Sequence, residues 1–170
     1  MLACQALFLF YTAMTENELF FATIQSGNED NIKAQLNRNP ELVNIKDQRG
    51  FTPLIFATYF NKENIAEILL EYKADINGKD ASGNTALIGV SFKGNTSIAE
   101  KLLQHEADIN AKNNAGITAL IYAAMYNQVD MVKLLLNYKA DKTVEDKEGK
   151  KALDYAIDKK LDVIVNLLNN

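Results

Sequence analysis

A 33-residue period runs through this chain and restricts it to a stack of like units. Gly50, Gly83, Gly116 and Gly149 keep that step, as do Asp47, Asp80, Asn113 and Asp146. Leu54, Leu87, Leu120 and Leu153 form another column, and Leu69, Leu102, Leu135 and Leu168 a fourth. Ala74, Ala107 and Ala140 follow in register, each with Asp directly after it. Chance does not hold so many columns in step.

Each unit reads as turn, helix, turn, helix, loop. In Asp-x-x-Gly the Asp side chain accepts from nearby backbone N–H groups, and Gly takes the positive φ of a turn. Thr52 then serves as a helix N-cap with Pro53 at the first helical position. Helix starts are therefore predicted near Thr52, Thr85 and Thr118. Asn61, Gly94 and Asn127 stand where the first helix should stop, and these residue types tolerate the left-handed backbone of a C-terminal cap. The second helix carries an apolar stripe at Ile65, Ile68 and Leu69, repeated as Ile98, Lys101 and Leu102, then as Met131, Leu134 and Leu135. Lys101 should run its stem along the edge of that stripe with its charge in water. One helix pair cannot bury its own apolar face, so the units must stack.

At this point the chain resembles a known family. Gly50-Phe51-Thr52-Pro53-Leu54-Ile55-Phe56-Ala57 is similar to the ankyrin pattern G-x-T-P-L-H-x-A, and Leu69 to Asn77 is similar to its closing loop L-L-x-x-G-A-D-x-N. The resemblance implies an all-α ankyrin-repeat solenoid of helix-turn-helix units with β-turn fingers. It covers an N-terminal cap at 16–46, repeats at 47–79, 80–112 and 113–145, and a C-terminal cap at 146–170. Ile55, Ile88 and Ile121 replace the family's His, and Lys73, Glu106 and Lys139 replace its loop Gly. If those three keep positive φ, each should cost around 1 kcal/mol relative to Gly; otherwise the loop must change. Lys150, Lys151, Asp154, Asp158, Lys159, Lys160 and Asp162 make the last unit polar, as a solenoid end requires, and the array reads as complete there.

Composition removes several chemistries. With 18 basic and 22 acidic residues and no Lys/Arg block, nucleic acid is not an expected partner. The single Cys4 permits neither an internal disulfide nor a thiolate metal cluster, and the single His105 leaves a metal pair or Ser-His-Asp site without its parts. His105 falls in a column with Tyr72 and Tyr138 at the end of the second helix, where a surface ladder of rings is expected. Asp75, Asp108 and Asp141 read as loop-holding carboxylates, not as a tuned acid–base pair. Asn77 and Asn110 match the family's closing-loop Asn, which implies backbone hydrogen bonds. No catalytic residue, metal ligand or cofactor is expected.

Residues 1–14, MLACQALFLFYTAM, are apolar and carry no charge. Three readings stay open: an upstream extension with Met14 the natural start, a helix packed on the first repeat, or a degenerate export signal lacking a basic start. No apolar run reaches the ~18 residues that span a bilayer. The expectation is a cytoplasmic monomer, or a periplasmic or secreted protein if residues 1–14 derive from a signal.

Candidate binding residues come from helical angle. Taking Leu54 as zero, residue 59 lies about 140° round the helix and residue 60 about 240°, away from the core stripe. Those columns read Tyr59, Phe92, Met125, Asp158 and Phe60, Lys93, Tyr126, Lys159. The fingertip column after the turn Gly reads Phe51, Asn84, Ile117, Lys150, and Lys46, Lys79 and Lys112 precede the turns. Phe51, Tyr59, Phe60, Phe92, Lys93, Ile117, Met125 and Tyr126 are therefore the expected protein-binding residues, with Lys46, Lys79 and Lys112 as a basic rim for an acidic partner. Shielding of neighbouring repeats by the rings is the competing reading. The resemblance implies a non-catalytic adaptor or inhibitor that holds a protein on its concave face; the alternative is an exported accessory protein that stabilises or protects a partner enzyme.

Overall fold

The computed structural model describes residues 14–169, so the readings placed on residues 1–13 lie outside the described residues. The described residues form ten α-helices and no strand. They fall into two compact units, Met1–Ala74 and Asp75–Asn170.

In the first unit, α1 (Glu16–Ser26) and α2 (Glu29–Arg38) make one antiparallel pair, and α3 (Pro53–Tyr59) and α4 (Glu63–Glu71) the next, with a 3-10 turn (Pro40–Asn44) before the finger. Helix α1 starts at a reciprocal cap: the Glu18 N–H donates to Thr15 Oγ1 at 3.2 Å, and the Thr15 N–H to Glu18 Oε2 at 2.8 Å. It stops at Gly27 with φ 78°. Phe20, Ile24, Ile32, Leu36, Leu42, Leu54 and Leu69 are fully buried, so α1 packs on α3 and α2 on α4 through one apolar layer. Polar ties hold the outer edge, with Asn64 Nδ2 donating to Glu29 at 2.9 Å and the Tyr72 hydroxyl to Asn37 at 2.8 Å.

The second unit holds α5 (Ala86–Lys93), α6 (Thr96–Gln104), α7 (Ala119–Met125), α8 (Val129–Asn137), α9 (Ala152–Asp158) and α10 (Asp162–Asn169). Helices α5, α7 and α9 form an inner row and α6, α8 and α10 an outer one. Helix starts fall where the sequence places them. Thr52, Thr85 and Thr118 are N-caps accepting from the N–H of Ile55, Ile88 and Ile121 at 3.2, 3.3 and 3.3 Å. Helix α9 lacks the Thr; there Asp154 accepts from the Lys151 N–H at 2.8 Å and secures the same turn.

The turn carboxylates act as expected. Asp80 Oδ1 accepts from the N–H groups of Ser82 and Asn84, both at 2.8 Å, and Asp146 Oδ1 from Glu148 and Lys150 at 2.8 and 3.0 Å. Within the second unit these turns are stitched together along the stack. The Asn114 N–H donates to Ser82 O and the Lys147 N–H to Ala115 O, both at 3.0 Å. Gly116 sits at φ +81°, and a Cβ there would stand 2.9 Å from the Lys147 nitrogen, so the fingers close up only over glycine. Asn77 and Asn110 each accept the N–H of the next loop's Asp, Asp108 and Asp141, at 2.9 Å.

Lys73, Glu106 and Lys139 keep the family backbone, with φ of 67°, 64° and 66°. The loop does not change, and the strain stays with the side chain. Replacing Glu106 or Lys139 by Gly is expected to raise unfolding free energy by up to about 1 kcal/mol each, less what Gly adds to the freedom of the unfolded chain. Urea melts of the two variants check this; an unchanged or lower midpoint would show that the left-handed residues are already relieved by their surroundings.

The last unit is less polar outside than its charges suggest. Ile157 and Val163 are exposed beside Lys159, Lys160 and Asp162.

Candidate functional site

Each unit carries its own exposed aromatic group, placed by the first helix of a pair. In the first unit, Tyr59 and Phe60 are 45% and 36% exposed, with ring centroids 5.2 Å apart. Phe51 differs from its expected fingertip exposure. It is half-buried, 5.6 Å from the Tyr59 ring and covered by the Arg49 guanidinium at 4.3 Å. The same Arg49 is clamped by Asp47 at 2.9 Å, which fixes the guanidinium over the ring. Lys46 is exposed and, with Arg49, Glu18 and Met14, lines an open groove of about 620 Å³ that also borders Phe21 and Phe56.

In the second unit, Phe92 and Tyr126 are 42% and 47% exposed and meet edge to face at 4.4 Å. Tyr122 joins them, its ring 6.0 Å from each. Lys159 closes the edge, its Nζ 5.4 Å from the Tyr126 ring centre and donating to Met125 O at 2.7 Å. Lys93 is exposed on α5, while Met125 and Ile117 are half-buried, so their contribution to an exposed surface is smaller than their columns imply. Lys79 and Lys112 are exposed but engaged: each Nζ donates to a carbonyl of the following loop, Lys112 O at 2.9 Å and Glu145 O at 3.0 Å. They hold the loops together and leave a positive charge on that edge.

Reading two columns alone overlooked the one between them. Residues 56, 89, 122 and 155 lie at about 200° on the same helical scale, opposite the Leu stripe, yet Phe56 is buried against Phe21 at 5.1 Å and Tyr122 and Tyr155 are half-buried. That column is Phe56, Gly89, Tyr122 and Tyr155. The motif assigns its first member to an unspecified position, which hid the signal.

Tyr155 has a structural task. Its hydroxyl donates to Asp146 Oδ2 at 2.6 Å. Burial opposes the Asp146 charge, but this hydrogen bond and those from Lys150 and Glu148 hold its carboxyl below the usual range. The same bond pushes the Tyr155 hydroxyl up. A depressed carboxyl stabilises the fold above its unfolded value near 4, and that stability is lost as pH falls through the folded value. Tyr155→Phe is expected to lower stability at neutral pH by about 1 kcal/mol. The gap between variant and parent should narrow on acidification below the unfolded value, read from thermal melts at stepped pH. A gap independent of pH would show ring packing, not the hydrogen bond, to be what the substitution disturbs.

His105 Nδ1 lies 2.9 Å from Lys101 O in its own helix. Among the described residues no three His, Cys, Asp or Glu side chains converge to hold a metal ion.

The paired helices, the capped Thr starts and the left-handed loop closures recur in one order, and comparison with known proteins decides what they amount to. The description "Ankyrin repeats (3 copies)" matches residues 19–113 and 89–170. The chain belongs to the ankyrin-repeat family. Ankyrin repeats are protein–protein interaction modules, typically non-catalytic. Over 49 residues the chain is 45% identical to the human (Homo sapiens) "DNA-binding protein RFXANK", a match covering 29% of this chain and 19% of that protein. The match thus spans about a fifth of that relative's length. No helix among the described residues of this ankyrin-repeat chain is long and apolar enough to cross a membrane.

Proposed function

We infer that this ankyrin-repeat chain is a non-catalytic adaptor or inhibitor that holds a protein partner on the outward faces of its first helices. The observation that carries the reading is the Phe92–Tyr126 pair, two large rings left over two-fifths exposed on one face of the second unit. Water solvates such surface poorly, and aromatic side chains are enriched at the centres of protein interfaces. Asp47, Asp75, Asp80, Asp108, Asp141 and Asp146, the carboxylates that recur with the repeat, each accept a backbone N–H and hold a turn or loop.

The test is affinity capture from the native cell with the parent chain and with Tyr126→Ala in parallel. A protein retained by the parent and lost from the variant supports the reading. Equal retention by both places the contact elsewhere on the chain and overturns this face as the site.

A further inference from the structure

Helix α7 stops at Met125, and the carbonyls of its last turn must find donors beyond the helix. Following backbone serves three of them. The N–H groups of Tyr126, Gln128 and Asn127 donate to Tyr122 O, Ala123 O and Ala124 O at 3.0, 2.8 and 3.2 Å. The fourth, Met125 O, is met from the next repeat by Lys159 Nζ at 2.7 Å. An ammonium is also the charge that the partly negative end of a helix favours. The end of α5 is closed in a similar way, Phe92 O accepting from Gln128 Nε2 at 3.1 Å, again from one repeat on.

The bond to Met125 O has a second effect, because it carries Lys159 Nζ to 5.4 Å from the Tyr126 ring centre. Tyr126 otherwise touches rings only of its own and the preceding repeat, Tyr122 at 6.0 Å and Phe92 at 4.4 Å. A side chain that is 47% exposed has room to leave such contacts for another rotamer. Lys159 adds a hold from the side of the last unit. That unit carries Asp158 and Lys159 in the two columns where earlier repeats carry exposed rings, so by column alone it adds nothing to the ringed face.

We propose that Lys159 is a positioning residue of that face: anchored on Met125 O, it holds the Tyr126 ring edge to face against Phe92 before a partner arrives. The proposal rests on the reading of the Phe92–Tyr126 face as the partner site and brings the last unit into it. A ring ordered in advance loses less freedom on binding, so Lys159 strengthens the contact through Tyr126 without touching the partner.

Ring protons report the arrangement, because protons held over the face of a neighbouring ring are shifted upfield. Proton NMR of the full chain is compared for the parent, Lys159→Met, Lys159→Arg and Tyr126→Ala, the last of which assigns the Tyr126 signals. Lys159→Met keeps an apolar stem and loses both the hydrogen bond and the charge. Its Phe92 and Tyr126 shifts are expected to move toward those of free rings, with helical circular dichroism unchanged. Lys159→Arg, which can donate to the carbonyl and lie over a ring, should restore them. Binding is read with a peptide selected from a displayed random library on the parent and lost on Tyr126→Ala. Lys159→Met should bind it ~5-fold more weakly and Lys159→Arg as the parent does. Parent-like shifts in Lys159→Met, or displaced shifts with undiminished peptide binding, would overturn the proposal. If no selected peptide depends on Tyr126, the underlying site reading fails instead, while the shifts still show whether Lys159 holds the ring.

Discussion

Leu120→Ala is expected to lower unfolding free energy by ~2–5 kcal/mol, near the upper end of that range. Leu120 is 1% exposed, and α7 packs against both α5 and α9, so the cavity opens inside a row braced on two sides. A site held this way relaxes little, and poor relaxation is what makes a large-to-small change expensive. In a chain of this length the melting temperature should fall by roughly 5–15 °C. Because neighbouring repeats stabilise one another, the transition should also broaden as the α7 repeat opens before the rest. The measurement is a urea titration followed by helical circular dichroism. A loss under about 1 kcal/mol would mean that the row closes over the cavity, and that the repeat interface is softer than its burial indicates.

Tyr126→Ala should do the opposite, leaving the fold largely intact and weakening partner binding on the order of 30-fold. Nearly half of this ring is exposed, so the protein core loses little when it goes. It does lose the edge-to-face contact with Phe92 at 4.4 Å and the Lys159 ammonium over the ring. Those contacts set the expected stability change at about 1 kcal/mol, well below that of Leu120→Ala. Binding is read by titrating the captured partner against folded variant, with the folded fraction taken from the urea curve. Suppose Tyr126→Ala unfolds the chain as Leu120→Ala does, and affinity per folded molecule stays the same. The ring would then be packing between repeats, and the interface reading would fail.

The contrast between Leu120 and Tyr126 shows where sequence was enough. Leu120 was legible as core because a 33-residue period combined with helical angle specifies which side of a helix faces its neighbours. Thr52, Thr85 and Thr118 were legible as caps because capping is a local event: a hydroxyl, a backbone turn and an N–H three residues on. The same holds for the turn Asp residues. All of this chemistry closes within four residues, so its outcome is written in the local order of the chain.

Other features depended on what comes near in space. Sequence alone left open whether Lys73, Glu106 and Lys139 would abandon the left-handed backbone or endure it; they endure it. Lys79 and Lys112 read as a free basic rim, yet each reaches a carbonyl 33 residues further along, a contact that only stacking creates. Phe51 read as an exposed fingertip until Arg49 folded over it. Tyr122 went unnoticed because its ring comes near that of Phe92 only when α5 and α7 lie side by side. The repeat and its caps follow from the amino-acid order, since they arise from covalent geometry and hydrogen bonds between near neighbours. Which rings stay in water and which lysines are engaged were decided by tertiary packing, because exposure is a property of the neighbours that arrive and not of the residue itself.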